Sequence, residues 1–372
     1  MNFSYWENKH LISSPDFTIV GAGITGLTTA IFIKEKYPNK KVVILERGMT
    51  SWGASSKNAG FACFGSLSEI VSDMEERGLE ETISLVEKRW KGLHELKNLL
   101  GEKALDLQNN GGYELFTEDQ SELYKKSLAL REELNSHLSG IIGQHVFQIT
   151  ENHFGFKGIQ GIIKNEFESQ IDTGLMMKNL TKLTTERGIQ LLYGAEVSNF
   201  AELPNKVEIE LCGGMKFETD QLLLCVNGFA KELISEEVNP ARAQVVITKP
   251  IENLKIKGTF HLEEGYYYFR NIDDRILFGG GRNLDFEGET TTEMENTELI
   301  LDHLNFLLKE VILPDQKFEV DYHWAGIMGV GASKTPIIKK VSDRVYTGVR
   351  LGGMGVAIGT LVGKELAEIV EC

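Results

Sequence analysis

At 372 residues the chain is too long for one simple core, so two domains are expected, and 42% hydrophobic with 25% charged residues is an ordinary globular composition. A formal charge of −15 argues against a polyanionic partner such as nucleic acid. No stretch approaches the ~20 apolar residues of a membrane span, and Met1–Lys9 lacks the apolar centre of a signal peptide.

The first predicted element is an apolar strand, Phe17–Val20, which runs into Gly21-Ala22-Gly23-Ile24-Thr25-Gly26. That turn opens a helix with apolar Ile24, Leu27 and Ile31 at spacings of three and four, ended by Tyr37-Pro38. The second strand, Val42–Leu45, is apolar without alternation, as a strand covered on both faces should be. Glu46 follows, 20 residues beyond Gly26. Each part suits a dinucleotide. Gly21 permits the tight turn, Gly23 lets backbone approach a pyrophosphate, and Gly26 lets the helix sit close on the strand. The helix N-terminus offers N–H groups to the phosphates, and Glu46 accepts from ribose hydroxyls.

The small-residue run Ser51–Gly60, with Phe61-Ala62-Cys63-Phe64 behind it, reads as backbone lying close to a ligand. Residues 68–100 read as one helix stopped by Gly101, and Asn109–Gly112 as a turn between strand-like pieces. Residues 118–138 form a charged amphipathic helix at the surface of a second domain. Further on, Gln170–Leu180 reads as a helix, Gly188–Leu192 as a strand, and Val207–Leu211 as a half-buried antiparallel strand. Asp220–Val226 is a buried strand whose carboxyl end, Asn227-Gly228, is a binding-face position in an open α/β sheet. From 241 to 324 the chain is strand-rich (Gln244–Thr248, Tyr266–Arg270, Arg275–Phe278), interrupted by a helix over 293–310. The four cysteines, Cys63, Cys212, Cys225 and Cys372, show no C-x-x-C pair and no metal-ligand spacing, so a reducing cytoplasm and no metal are expected.

The tail is the second diagnostic region. Strand Val345–Val349 leads into Arg350-Leu351-Gly352-Gly353-Met354-Gly355, and a helix over Val356–Val370 buries Ile358, Val362, Leu366 and Ile369. Two glycine turns at helix N-termini in one chain predict a large cofactor contacted at both ends, a flavin dinucleotide and not a simple NAD site.

These pieces resemble, in order and over essentially the whole chain, the flavin-dependent amine oxidoreductases of the D-amino acid oxidase, glycine oxidase and sarcosine oxidase superfamily. The motifs are Gly21–Gly26 with Glu46, Gly53–Gly60, Gln170-Ile171-Asp172, Cys225–Gly228, Tyr268-Phe269-Arg270 with Gly279–Gly281, and Gly352–Gly355. The opening Ser4-Tyr5-Trp6-Glu7 is similar to the branch that includes γ-glutamylputrescine oxidase. The resemblance implies noncovalent FAD and a mixed α/β fold. A discontinuous Rossmann-like FAD-binding domain (1–78, 150–232, 325–372) would carry an inserted antiparallel-sheet substrate domain (79–149, 233–324). It further implies that Gly21 to Gly26, Glu46 and Arg47 hold the pyrophosphate and adenosine ribose. Ala54, Ser55, Ser56, Asn58, Ala59, Gly60 and Phe61 would pass along the pyrophosphate and flavin edge, and Val197 would meet the adenine. Asn227, Gly228 and Gly352, Gly353, Met354, Gly355 and Val356 would complete the site, the last helix at the pyrimidine end of the ring.

The chemistry implied is loss of a hydride equivalent from the carbon bearing the amine, giving an imine that water hydrolyses. The partners would be a small amine and oxygen or another acceptor, with a homo-oligomer possible. This chain departs from the family at two substrate anchors. Met328 stands where amino-acid oxidases carry an arginine, and Ala357 where sarcosine oxidases place a lysine. The remaining anchor candidates are Arg270, Tyr267 and Tyr268, with Lys57 on the flavin N5 side and Trp324 as a wall. The alternatives are a flavoprotein acting on a hydroxy acid and an FAD-binding sensor without turnover.

Overall fold

The computed structural model describes residues 4–7, 9–10 and 13–371; Cys372 and the first three residues lie outside them. The core of the molecule is a six-stranded sheet assembled from distant parts of the chain. Its order is Ile337–Lys340, Val345–Val349, Gln221–Leu224, Phe17–Val20, Val42–Glu46 and Gln190–Tyr193, all parallel except the first pair. Strands Phe17–Val20, Val42–Glu46 and Val345–Val349 are buried at every position, which is why they lack alternation. Helices Ile24–Lys36, Leu79–Leu100, Thr173–Glu186 and Gly355–Ile369 pack one face around Ile31, Leu93, Leu180 and Leu366. The antiparallel meander Val197–Glu202, Val207–Leu211, Lys216–Thr219 covers the other through Val43, Leu45 and Ile209.

The second large sheet has eight strands, from Val320–Val330 at one edge through Asn239–Thr248, Arg275–Gly280, Tyr267–Ile272, Thr259–Leu262, Gly112–Thr117 and Ile159–Asn165 to Phe147–Thr150. It is antiparallel except where Thr259–Leu262 runs parallel to Gly112–Thr117. One core lies behind it, with Phe260, Phe269, Phe278 and Tyr267 packed against helix Glu298–Leu307. Strands Ile159–Asn165 and Val320–Val330 belong to this sheet although the sequence boundaries put all of the first and just over half of the second in the FAD-binding part.

Several expected elements differ in detail. The helix over 68–100 is two helices, Leu67–Arg77 and Leu79–Leu100, because Gly78 adopts φ 85, ψ 163 between them. The helix expected at Gln170 starts at Thr173, where the Asp172 carboxylate accepts from the Leu175 N–H, and Ser169-Gln170 is a short strand. The helix expected from 293 begins at Glu298. Gln244 Oε1 accepts from the Asn296 amide and the Thr297 N–H, which holds that segment outside the helix. Ile369 is exposed instead of buried, and Val370 beyond the helix end takes the inward position.

Candidate active site

A single cavity of about 590 Å³ runs from the first glycine turn to the eight-stranded sheet. At one end it is lined by Gly21, Gly23, Ile24, Thr25, Glu46, Arg47 and Val197. Gly21 has φ 102, a left-handed-side conformation that a side chain opposes. At Gly26 an added Cβ would lie 1.9 Å from the Gly21 carbonyl oxygen, so the helix start is pressed onto the turn. The Glu46 carboxylate accepts from the Ala22 and Gly48 N–H groups, both at 2.9 Å, and shapes the turn while still facing the cavity. Arg47 stacks on Phe229, 3.7 Å from the ring centroid.

The loop of small residues is held down, as expected. Ser55 Oγ accepts from the Ile24 N–H at 2.9 Å, and Asn58 bonds Ser55, Gly60 and Thr173. Ala54, Ser55, Lys57, Asn58, Ala59, Gly60 and Phe61 line the cavity. Ala22, Gly26, Ser56 and Gly228 stand behind its wall; the Ser56 hydroxyl turns back onto Ser51, and Gly228 leaves room for the Met328 carbonyl. Asn227 (φ 44) accepts from the Arg350 and Leu351 N–H groups at 3.0 and 3.1 Å, so it sets the second glycine turn. Gly352, Gly353, Met354, Gly355 and Val356 then line the cavity at the N-terminus of the last helix.

The eight-stranded sheet roofs the cavity. Glu114, His261, Tyr268, Gly279, Val245 and Trp324 form one register row across five adjacent strand pairs. The Tyr268 ring lies over Gly279 and faces the cavity, and burial pushes its phenol up to about 12, so it stays a donor. Three sequence candidates are elsewhere. Tyr267 points to the opposite face, against His303 and Phe278, as strand alternation requires. Arg270 is buried outside the lining, its Nε donating to the Ala59 carbonyl at 2.5 Å and its guanidinium covering Gly60. Trp324 also stands outside, its indole N–H donating to the Lys57 carbonyl at 2.9 Å. Lys57 does line the cavity, over the Trp52 ring.

Residues that local sequence pattern did not single out fill the far end beside Tyr266: Glu69, Ser72, Asp73, Arg89, Glu264, Arg282 and Lys334. Deeper, Cys63, Glu168 and His261 bring one potential ligand atom each within 4.8 Å of one another. His261 Nε2 and Glu168 Oε1 are 2.6 Å apart and satisfy each other as a hydrogen-bonded pair. Burial opposes the imidazolium, but Glu168, Glu114 and Glu69 override it, and the His261 pKa is raised. The Cys63 thiol is pushed well up by burial and the nearby carboxylates, so it is no nucleophile. A raised histidine pKa stabilises the fold fully below the unfolded value of about 6.5 and loses that contribution as pH rises through the folded value. Glu168→Gln is expected to cost roughly 1.5–3 kcal/mol at pH 6. It should also flatten the fall of Tm above pH 6.5, which thermal melts across pH measure.

Two glycine turns, each at the start of a helix and both facing one elongated cavity, define a site for a dinucleotide that extends beyond its phosphates. The chain belongs to the family of FAD dependent oxidoreductases (DAO), whose model matches residues 16–369. It is therefore an enzyme with FAD as its cofactor. The probable oxidoreductase OrdL of Haemophilus influenzae is 22% identical over 96% of this chain and 83% of its own length. L-2-hydroxyglutarate dehydrogenase of Escherichia coli is 24% identical over 59% of this chain and 49% of its own. The crystal structure of glycine oxidase from Geobacillus kaustophilus superposes with a TM-score of 0.73, covering 96% of each chain at 17% identity. Among the described residues no helix is long and apolar enough to cross a membrane.

Proposed function

We propose that this enzyme oxidises a primary or secondary amine to an imine, with FAD bound noncovalently. When bound, FAD supplies the acceptor for the hydride equivalent leaving the carbon next to nitrogen. The chain's own residues bind, orient and exclude water. Gly21–Gly26 and Ser55 receive the pyrophosphate, Glu46 the ribose and Val197 the adenine. In the turn Gly352–Val356 the Gly352 and Met354 N–H groups donate to the Gly329 and Leu351 carbonyls, and the remaining N–H groups would meet the edge of the ring that becomes negative on reduction. Tyr268, a donor held over Gly279, orients the substrate from the roof.

The observation that favours an amine over an alcohol is the state of His261. Removing the proton of an alcohol during oxidation calls for a base with a free lone pair. Among the described residues His261 is the one histidine lining the cavity, and its Nε2 is already engaged by the Glu168 carboxylate at 2.6 Å, which raises its pKa against the effect of burial. A neutral amine needs no such base. Burial holds both cysteines of the wall, Cys63 and Cys225, as thiols, which is the ground for proposing a noncovalent flavin.

The test is anaerobic bleaching of the flavin absorbance by glycine, sarcosine, L-proline, D-amino acids, putrescine and γ-glutamylputrescine, with L-2-hydroxyglutarate alongside, then admission of air. Bleaching by an amine is expected, and the rate of recovery in air distinguishes oxygen from another acceptor. Bleaching by the hydroxy acid alone would replace the amine reading, and the partial similarity to L-2-hydroxyglutarate dehydrogenase is what keeps that reading in the panel.

A further inference from the structure

The charged side chains at the outer end of the cavity are almost all paired with one another. Arg89 bonds Glu69 at 3.2 Å, and Lys334 bonds Asp73 at 2.7 Å and Glu69 at 3.4 Å. Glu264 accepts from the Ser72 hydroxyl. On the remaining wall, Arg350 pairs with Glu237 and Arg47 with Glu232. Among the described residues two cations of the wall lack a carboxylate partner: Lys57, which lies over the Trp52 ring, and Arg282. Its guanidinium lines the cavity half-buried and rests on the Phe286 ring, 4.8 Å from the centroid. Among the described residues it has no hydrogen-bond acceptor and no carboxylate within 4.0 Å. A half-buried guanidinium with five unused donors is costly unless something else accepts from it.

The surrounding backbone is built to hold this residue in place. Gly281 is left-handed at φ 84, its N–H donating to the Tyr266 carbonyl at 3.1 Å, and the Asn283 amide donates to the Glu263 carboxylate at 3.1 Å. Glu263 and Glu264, in the facing turn, both take positive φ, 50 and 56. Arg282 stands three residues beyond Gly279, the register partner of Tyr268, just past the end of strand Arg275–Gly280, so the two positions are up to roughly 10 Å apart along the chain.

We infer that Arg282 anchors an anionic group of the substrate several bonds away from the reacting carbon, so that the enzyme prefers an amine with a distal carboxylate over a plain alkylamine. The planar fork of a guanidinium matches a carboxylate in a way that a lysine does not. This rests on the amine reading of the site. It also differs from an anchor beside the reacting carbon, since Met328 and Ala357 supply no cation there.

The probes are ω-amino carboxylates of increasing length (glycine, β-alanine, 4-aminobutyrate, 6-aminohexanoate) against n-alkylamines of equal length. Each is titrated anaerobically into FAD-loaded enzyme and followed through the flavin spectrum. Wild-type enzyme is expected to take one of the longer amino acids at least tenfold more tightly than its alkylamine. Arg282→Gln should erase that ratio, a loss of about 10- to 100-fold on the carboxylate side. Arg282→Lys should restore only part of it, and equal flavin content in all three proteins shows that the fold is intact. No carboxylate preference in wild type, or an unchanged ratio in Arg282→Gln, overturns the proposal while the amine reading stands if any amine bleaches the flavin. If only hydroxy acids bleach it, the amine reading falls, and Arg282 is judged by the same ratio between hydroxy acids and alcohols.

Discussion

Replacing Gly26 with alanine is expected to yield protein that no longer retains FAD. The new Cβ would stand 1.9 Å from the Gly21 carbonyl oxygen and 3.0 Å from its carbonyl carbon. Both are backbone atoms of the turn that lines the cavity, so no flexible side chain can move aside. Gly21 cannot retreat either, because its own Cβ position is already 2.7 Å from the Cys225 carbonyl oxygen on the neighbouring parallel strand. The helix Ile24–Lys36 must therefore lift from the sheet by more than an ångström. That costs about 1–3 kcal/mol of overpacking and also carries away the N–H groups on which the cofactor depends. The ratio of flavin to protein absorbance after purification measures retention, and a melt without added FAD measures the apoprotein loss. A Gly26→Ala protein that is yellow and melts like wild type would show that the close approach is not what the glycine provides.

The parts of the site that were legible in the sequence are those made by local backbone. Gly21, Gly26 and Glu46 act within one strand–turn–helix–strand unit, so their spacing carries their geometry, and Gly352–Val356 do the same at the tail. The strand Tyr267–Ile272 was legible as a strand but not as a site. Periodicity says that Tyr267 and Tyr268 face opposite ways without saying which way is inward, and that depends on helix Glu298–Leu307 covering one face. Residues such as Glu69, Lys334 and Arg282 were invisible, because 265 residues separate Lys334 from Glu69 and only the tertiary fold joins them. The pair Glu168–His261, 93 residues apart, is of the same kind. Helix ends failed for a related reason. At 293–297 the segment had helical pattern, but Gln244 on a distant strand claims its polar groups.

Arg270 gives the sharpest contrast between what its residue type suggests and what its position does. A cation next to tyrosines over a flavin site invites assignment as the substrate anchor. In the fold it is 3% exposed, donates Nε to the Ala59 carbonyl, and covers Gly60, where φ is 75 and an added Cβ would lie 2.4 Å from the Ile171 carbonyl oxygen. Burial lowers its pKa to about 10, with Asp172, Asp106 and Asp273 working the other way, so it remains charged at neutral pH. The charge joins the roof sheet to the loop of residues 54–61 that lines the cavity. Arg270→Met is therefore expected to lose roughly 1.5–3 kcal/mol from that charge-assisted bond, and FAD affinity by about 10- to 100-fold, as residues 54–61 loosen. Flavin fluorescence titration of the apoprotein measures the affinity, and the concentration of substrate giving half-maximal flavin reduction measures the other possibility. A clamp acts on FAD affinity and Tm, leaving the substrate term within threefold once FAD is saturating. An anchor would do the reverse, keeping FAD tight while the substrate term rises a hundredfold or more. Arg270→Lys sharpens the test, because it keeps the positive charge but cannot place a planar fork over Gly60. It is expected to fall between Arg270→Met and wild type in FAD affinity, with the substrate term still unmoved.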